Sequence, residues 1–328
     1  MIGFNKEELA LVVLCTLPSF SMYLYTGSSL FAVMGLVASC SFIVYYAIRC
    51  DTLNLLLHIT QIFVLSIVLY ECRANTLVFA LMSATVCACY IGFSGGSKGL
   101  RVYGTFIIVP SLYIANELYR IEASGLEYGL ESYIKWFPFL AMPAVIFATA
   151  LNYLDRRPLW RFDKFWQHGA SREQVAEAWV TGMAAFFAVG LTIVIAKYSG
   201  IEHYEWIIWS AVSVCTGELI SMKKKVQHRV LGSVLAVVIA GLLAHYGVQY
   251  DVIAILAVLL IPATITLNHY FFAFTLRSFL TVFAASSIDF SVEKLTAVIV
   301  GCFIGFVLAF LMMRIHQYFK GIPSGHNR

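Results

Sequence analysis

Long apolar stretches alternate with short polar turns along the whole chain. A helix needs about 20 largely apolar residues to cross the hydrocarbon core of a bilayer. By this criterion the pattern predicts an all-α polytopic membrane protein with about twelve transmembrane helices. The predicted spans lie at 8–24, 29–48, 53–70, 76–93, 100–119, 133–151, 174–197, 206–221, 229–246, 251–267, 270–288 and 292–315.

Composition supports this interpretation. Hydrophobic residues make up 60% of the 328 residues and charged residues 12%, and the mean hydropathy is +0.82. An ordinary soluble domain needs a larger charged surface than this, so the composition indicates an integral membrane protein. Most of the cysteines fall within spans, where we expect them to pack as small apolar residues. Cys87 and Cys89 lack a second pair, and we expect neither a metal site nor a cofactor.

Lysine and arginine are distributed unevenly among the predicted loops. Basic residues cluster in the turns that follow the even-numbered spans, for example in "SMKKKVQHR" from Ser221 to Arg229. Positively charged residues of short loops stay on the cytoplasmic side of a membrane. The chain is therefore expected to have both termini in the cytoplasm, with "SMKKKVQHR" as an inner loop before span nine.

A weak internal similarity suggests how the spans are organised. The strings "LRVYGTF" from Leu100 and "LRSFLTV" from Leu276 share a pattern, which favours two six-helix halves. The predicted organisation is a first membrane half at 1–151, a cytoplasmic amphipathic linker at 152–173, a second membrane half at 174–315 and a cytoplasmic tail at 316–328.

Small residues recur every four positions in two of the spans of the second half. Such stripes allow neighbouring helices to approach closely. Spans nine and twelve are expected to run in opposite directions, so the stripes also fit inverted three-helix repeats, spans 7–9 and 10–12. Ordinary helix packing explains them equally well. The predicted packing residues are Gly232, Ala236, Ala240, Gly301 and Gly305.

Arg277 is an ionisable residue within span eleven and the first candidate for substrate binding. A charge inside a membrane is costly, so such a residue usually faces a cavity or a partner. Its guanidinium could bind a carboxylate in a bidentate way, reach the inner interface, or pair with Glu218. Asn268 and His269 lie in the preceding turn and could extend the same site.

Two further residues are candidates for proton coupling. Glu218 precedes the lysine cluster and could either neutralise it or exchange protons with the cytoplasm. His58 lies in span three, and histidine titrates near neutral pH. A simple hydrogen-bonding role is the alternative for His58, as structural pairing is for Glu218.

The second half resembles the fusaric acid resistance and aromatic acid exporter family. The similarity rests on "YEWIIWSAVSVCTGELISMKKKVQHRVLGSVLAVVIAGLLA" and "YFFAFTLRSFLTVFAA". The last span departs from the family pattern, since Glu293 and Lys294 stand where an arginine is frequent. The resemblance implies that Arg229 and Thr281 belong to the substrate path. It also implies an exporter of aromatic or other organic acids in the cell inner membrane, often paired with a periplasmic adaptor protein.

Three classes of function remain open at this point. The first is export of a small organic anion driven by the proton gradient, and the second is a passive organic-anion channel. The third, an intramembrane transferase, would need converging acids and bases that the sequence does not display, so we expect no enzyme. The expected partners are the organic anion and the lipid bilayer, with an adaptor and a homo-oligomer as further expectations and no nucleic acid.

Overall fold

The computed structural model describes residues 6–48, 50–95, 97–155, 171–199, 201, 203–215, 219–246, 250–264, 267, 269–285 and 288–321. Within these residues the chain forms twelve α-helices. They are α1 (Lys6–Thr26), α2 (Ser29–Ile48), α3 (Thr52–Cys72), α4 (Thr76–Phe93), α5 (Lys98–Ala123), α6 (Leu130–Leu154), α7 (Arg172–Ser199), α8 (Glu205–Cys215), α9 (Leu219–His245), α10 (Tyr250–Ala263), α11 (Tyr270–Ala285) and α12 (Ile288–Gly321).

Among the described helices, eight are long and apolar enough to cross a membrane: α1 to α4, α6, α7, α9 and α12. The all-α membrane class predicted from the sequence is confirmed by these helices. The prediction of twelve separate spans is not, because α8 has only 11 residues and α10 only 14. At a rise of about 1.5 Å per residue, neither helix alone crosses about 30 Å of hydrocarbon.

The basic segment before span nine was predicted as a loop, and this prediction is wrong. α9 begins at Leu219, so Lys223, Lys224 and Lys225 lie in its first turns. Lysine is a good helix former, and its charge does not interrupt the backbone hydrogen bonds. The ammonium of Lys225 donates to the backbone oxygen of Ser213 at 3.0 Å, near the end of α8, where carbonyl groups lack helical partners.

Two apolar cores hold the helices together. The first contains buried residues of α1, α2, α3, α5 and α6, among them Phe42 and Tyr133. The second contains buried residues of α4, α5, α7, α8 and α12, among them Ile207. Because Ile107 packs in the first core and Ile108 in the second, α5 lies between the two cores and connects them.

α9 packs against α11 along its stripe of small residues. A Cβ atom at Gly232 would lie 2.7 Å from the hydroxyl oxygen of Thr275, so the two helices nearly touch at this point. Ala236 is buried, and Ala240 packs in a small cluster with Phe283 of α11. The small side chains thus lie on the face of α9 that contacts a neighbouring helix.

α12 approaches α8 even more closely. A Cβ atom at Gly301 or Gly305 would lie 2.4 Å from the backbone oxygen of Ile207 or Ala211, respectively. Contacts of this length are impossible for a real side chain, so only glycine permits the observed distance between the two backbones.

The face of α9 that is directed away from α11 is apolar and exposed. Its residues would be unfavourable in water but are well solvated by lipid. They include Leu231, Val234, Leu235, Val238 and Leu242.

Gly305→Val is expected to lower the thermal stability of the purified protein, because the added side chain must separate α8 from α12. Overpacking of this kind costs about 1–3 kcal/mol. Gly241→Ala in α9 is the matched control, since a Cβ atom there meets nothing within 4 Å. The measurement is the unfolding temperature in detergent, and equal stability of Gly305→Val and the wild type would contradict the close packing of these helices.

Candidate functional site

A cavity of about 290 Å³ lies among helices from both halves of the chain. α2 and α5 form one side of it, and α8 to α12 form the other. Pro110 of α5 and Pro262 of α10 both line it, and each interrupts the backbone hydrogen bonds of its helix. The lining residues that carry charge or an aromatic ring are Tyr113, Glu117, Arg120, His203, Glu205, Trp206, Trp209, Arg229, Arg277 and Lys294.

The walls of the cavity are mainly apolar and aromatic. Trp209 meets Tyr113 edge to face, with ring centroids 6.1 Å apart, and so joins α8 to α5. Trp206 lies one turn away on α8, and its ring centroid lies 5.0 Å from that of Phe290 in α12. Flat aromatic faces of this kind suit a ligand that has a ring of its own.

Arg229 is buried in the cavity wall. Its Nε donates to the hydroxyl of Tyr270 at 2.6 Å, and its Nη1 donates to the hydroxyl of Ser210 at 3.0 Å. The guanidinium carbon also lies 4.8 Å from the ring centroid of Phe274. Hydroxyls and aromatic faces therefore hold this charge in place without neutralising it.

Arg277 has a similar environment. Its Nε donates to the hydroxyl of Thr264 at 3.0 Å, and its guanidinium carbon lies 5.4 Å from the ring centroid of Trp209. Among the described residues, neither Arg277 nor Arg229 forms an ion pair with a carboxylate. These two residues make one part of the cavity strongly cationic.

A second group of charges lies where α5 ends and α8 begins. Arg120 contacts Glu117 at 3.1 Å and Glu205 at 2.7 Å, and its Nη2 lies 3.1 Å from Nδ1 of His203. The hydroxyl of Ser29 in α2 donates to the carboxylate oxygen of Glu117 that Arg120 does not contact. Burial lowers the pKa of Arg120, but the carboxylates of Glu205 and Glu117 raise it by more, so its pKa lies above the ordinary value.

Asn116 extends this group away from the cavity. Its side-chain nitrogen donates to Glu205 at 3.4 Å, and its oxygen accepts from Tyr204 and, at 3.2 Å, from Nε of Arg73. We call Arg120, Glu117, Glu205, His203 and Asn116 the end cluster. Within it each carboxylate already has a cationic partner.

Lys294 of α12 is the remaining cation of the lining. Its ammonium lies 3.8 Å from the ring centroid of Trp206. No hydrogen bond or ion pair of Lys294 is found among the described residues, although Glu205 lies close enough to influence it electrostatically.

The structure brings together three of the residues that the sequence singled out. Arg277, Arg229 and Thr281 all line the cavity, and the hydroxyl of Thr281 donates to the backbone oxygen of Arg277 at 2.8 Å. His269 is exposed and does not line the cavity. Asn268 and Glu218 lie outside the described residues, as do residues 156–170 of the predicted linker.

His58, the other candidate for proton coupling, is fully buried away from the cavity. Its Nδ1 lies 3.2 Å from the hydroxyl of Ser41, and its ring packs edge to face on Tyr103. Both contacts join helices of the first core, which favours the structural role that the sequence left open for this histidine.

Most of the end cluster was missed by the sequence analysis. The i, i+3 spacing of Glu117 and Arg120 was a usable local signal. Nothing in the sequence connects these residues with His203 and Glu205, which follow more than 80 positions later. Among the described residues, no three histidine, cysteine, aspartate or glutamate side chains come together in a way that could hold a metal ion.

Comparison with known proteins gives one match. Residues 191–315 match the family model described as "Fusaric acid resistance protein-like". No curated protein and no solved structure matched the chain. The matched range contains all three cavity cations that are not part of the end cluster: Arg229, Arg277 and Lys294. The second half of this membrane protein is thus similar to the fusaric acid resistance proteins, which confirms the family resemblance read from the sequence.

Proposed function

We propose that this protein exports small organic anions, with aromatic carboxylates as the preferred class, and that the proton gradient drives the export. The observation that carries this proposal is the pair Arg229 and Arg277, which line a cavity without a described carboxylate partner. The match of residues 191–315 to fusaric acid resistance-like proteins supports a transport or resistance role.

The distribution of charge favours an anion over a cation or a neutral solute. In the end cluster Arg120 already has two carboxylate partners, Glu117 and Glu205. Arg229 and Arg277 contact only hydroxyls and rings among the described residues, so a bound carboxylate would supply the missing negative charge. A guanidinium can hold both carboxylate oxygens at once, which makes the contact directional as well as strong.

Size and shape favour a ligand with one aromatic ring. The volume of about 290 Å³ is at the small end of the range for ligand sites, about 300–1,000 Å³. Trp209 and Tyr113 offer ring faces beside Arg277, so a carboxylate at the guanidinium would place its ring among aromatic side chains. A single-ring acid satisfies both conditions.

Location and partners complete the proposal. The unequal distribution of basic residues supports cytoplasmic termini, and the family resemblance supports the cell inner membrane and a periplasmic adaptor protein. A transport function explains the cavity without a catalytic step. The cavity lies within a bundle of apolar helices, where transporter sites are usually found.

His203 is the best placed group for proton coupling. Its Nδ1 lies 3.1 Å from Nη2 of Arg120 and 3.4 Å from Oε1 of Glu205. An uncharged imidazole can accept from Arg120 through an unprotonated Nδ1. A protonated imidazole can only donate, and then Glu205 becomes its partner while Arg120 is repelled.

The other groups around His203 allow its Nδ1 to change partner from Arg120 to Glu205. Its ring stacks on Trp206 at 4.6 Å and meets Phe290 edge to face at 5.2 Å, so its plane stays fixed. From α12, Glu293 accepts from the backbone N–H of His203 at 2.9 Å, and Lys294 lies beyond Trp206. Protonation therefore changes the contact with Arg120 and, through it, the contact with Glu117.

Arg277→Met is expected to reduce transport of 4-hydroxybenzoate into proteoliposomes by about tenfold or more, because a charge-assisted contact with the carboxylate is lost. Arg277→Lys should retain part of the activity, since it keeps the charge without the planar fork. Arg314→Met is the matched control, because Arg314 also lies over an aromatic ring, Phe310 at 5.1 Å, but is exposed and outside the cavity.

Protein-free liposomes give the passive leak in this assay. Flux that is independent of an imposed pH gradient would favour the channel over the exporter. If the wild type transports no aromatic anion above the leak, the proposed function is wrong.

His203→Gln is expected to abolish the stimulation of transport by a pH gradient while leaving exchange without a gradient largely intact. Glutamine can still bond to Arg120 or Glu205, but its amide has no basic nitrogen that takes up a proton. His245→Gln, an exposed histidine at the end of α9, is the control. Equal stimulation of the wild type and His203→Gln would remove His203 from the coupling step.

A further inference from the structure

α9 and α12 carry the same arrangement of one cation followed by small residues. In each helix the cation precedes the first small residue by three positions, and the following small residues are spaced by four. In α9 these residues are Arg229, Gly232, Ala236 and Ala240, and in α12 they are Lys294, Ala297, Gly301 and Gly305.

The two helices also use this arrangement in the same way. α9 packs its small residues on α11, and the guanidinium of Arg229 lies over the ring of Phe274 in that helix. α12 packs its small residues on α8, and the ammonium of Lys294 lies over the ring of Trp206 in that helix. Each cation thus rests on an aromatic ring of the helix against which its own helix packs.

The directions of the helices follow from the contacts between them. Gly301 meets Ile207 and Gly305 meets Ala211, so α12 and α8 run in the same direction. Lys225 contacts Ser213, whereas Arg229, further along α9, contacts an earlier residue of α8, Ser210. α8 and α9 therefore run in opposite directions, and α9 is consequently antiparallel to α12.

The two cations have the same place in the shared arrangement, but the helices that carry them run in opposite directions. Arg229 follows the lysine-rich start of α9, and Lys294 lies near the start of α12, beside the end cluster. Both side chains line the same cavity. This is the relation expected between equivalent residues of an inverted repeat.

We infer that Lys294 is a second carboxylate-binding residue of the cavity, the counterpart of Arg229 at the end-cluster side. The inference rests on the proposed function and adds a residue to it. Neighbouring acids leave Lys294 available: Glu205 is paired with Arg120, and Glu293 accepts from the backbone of His203.

The test is equilibrium binding of benzoate to the purified protein in detergent. Lys294→Met is expected to weaken binding by about tenfold, whereas Lys294→Arg, which keeps the charge, should bind within a factor of about three of the wild type. Lys135→Met is the matched control, because Lys135 also lies over a tryptophan, Trp136 at 5.6 Å, but is exposed and outside the cavity.

The unfolding temperature separates binding from structure. If Lys294→Met is less stable than the wild type, Lys294→Gln is scored in its place, since it keeps a polar end on the same helix. Unchanged benzoate affinity in a stable, uncharged variant at position 294, together with weakened binding by Arg277→Met, would overturn this inference alone. Absence of benzoate binding by the wild type would overturn the proposed function as well.

Discussion

Two guanidinium groups inside an apolar bundle, those of Arg229 and Arg277, are the constraint on which the interpretation of this structure depends. Burial of an ionised group is expensive, and a membrane protein retains one where a partner or a cavity compensates for it. Here hydroxyls and aromatic rings give partial compensation, and the described residues include no carboxylate at either guanidinium. The guanidinium charges that remain without a described carboxylate face the cavity, and this is the ground on which we propose an anion as the ligand.

The end cluster shows the opposite solution to the same problem. Arg120 of α5 and Glu205 of α8 form an ion pair, and His203 lies within reach of both. The end cluster does not need a ligand to hold Arg120, because two carboxylates share this one guanidinium. Under the proposed function, the cavity joins an anion site at Arg229 and Arg277 with a proton-coupling group, His203, in the end cluster.

The sequence analysis succeeded where the physical signal was local. Helix positions follow from runs of apolar residues, and Arg277 was identified because an arginine within such a run is costly anywhere in a membrane. It failed where local signals were misleading. "SMKKKVQHR" has the composition of a loop but lies within α9, and His269 is adjacent in sequence to α11 yet is exposed and does not line the cavity. The contacts of His58 are those of a packed core, which favours the hydrogen-bonding role that the sequence analysis left open beside proton coupling.

The sequence by itself determined that the protein lies in lipid, that it is helical and that its second half is similar to fusaric acid resistance-like proteins, because apolar length and residue spacing are properties of continuous segments. Only the tertiary structure decided which cations face one cavity and which of them are already neutralised. Arg120 and Glu205 are separated by 85 positions, and their ion pair exists only because α5 and α8 are neighbours in the bundle. The charge of a site is a sum over such long-range pairs, and no local pattern in the sequence records that sum.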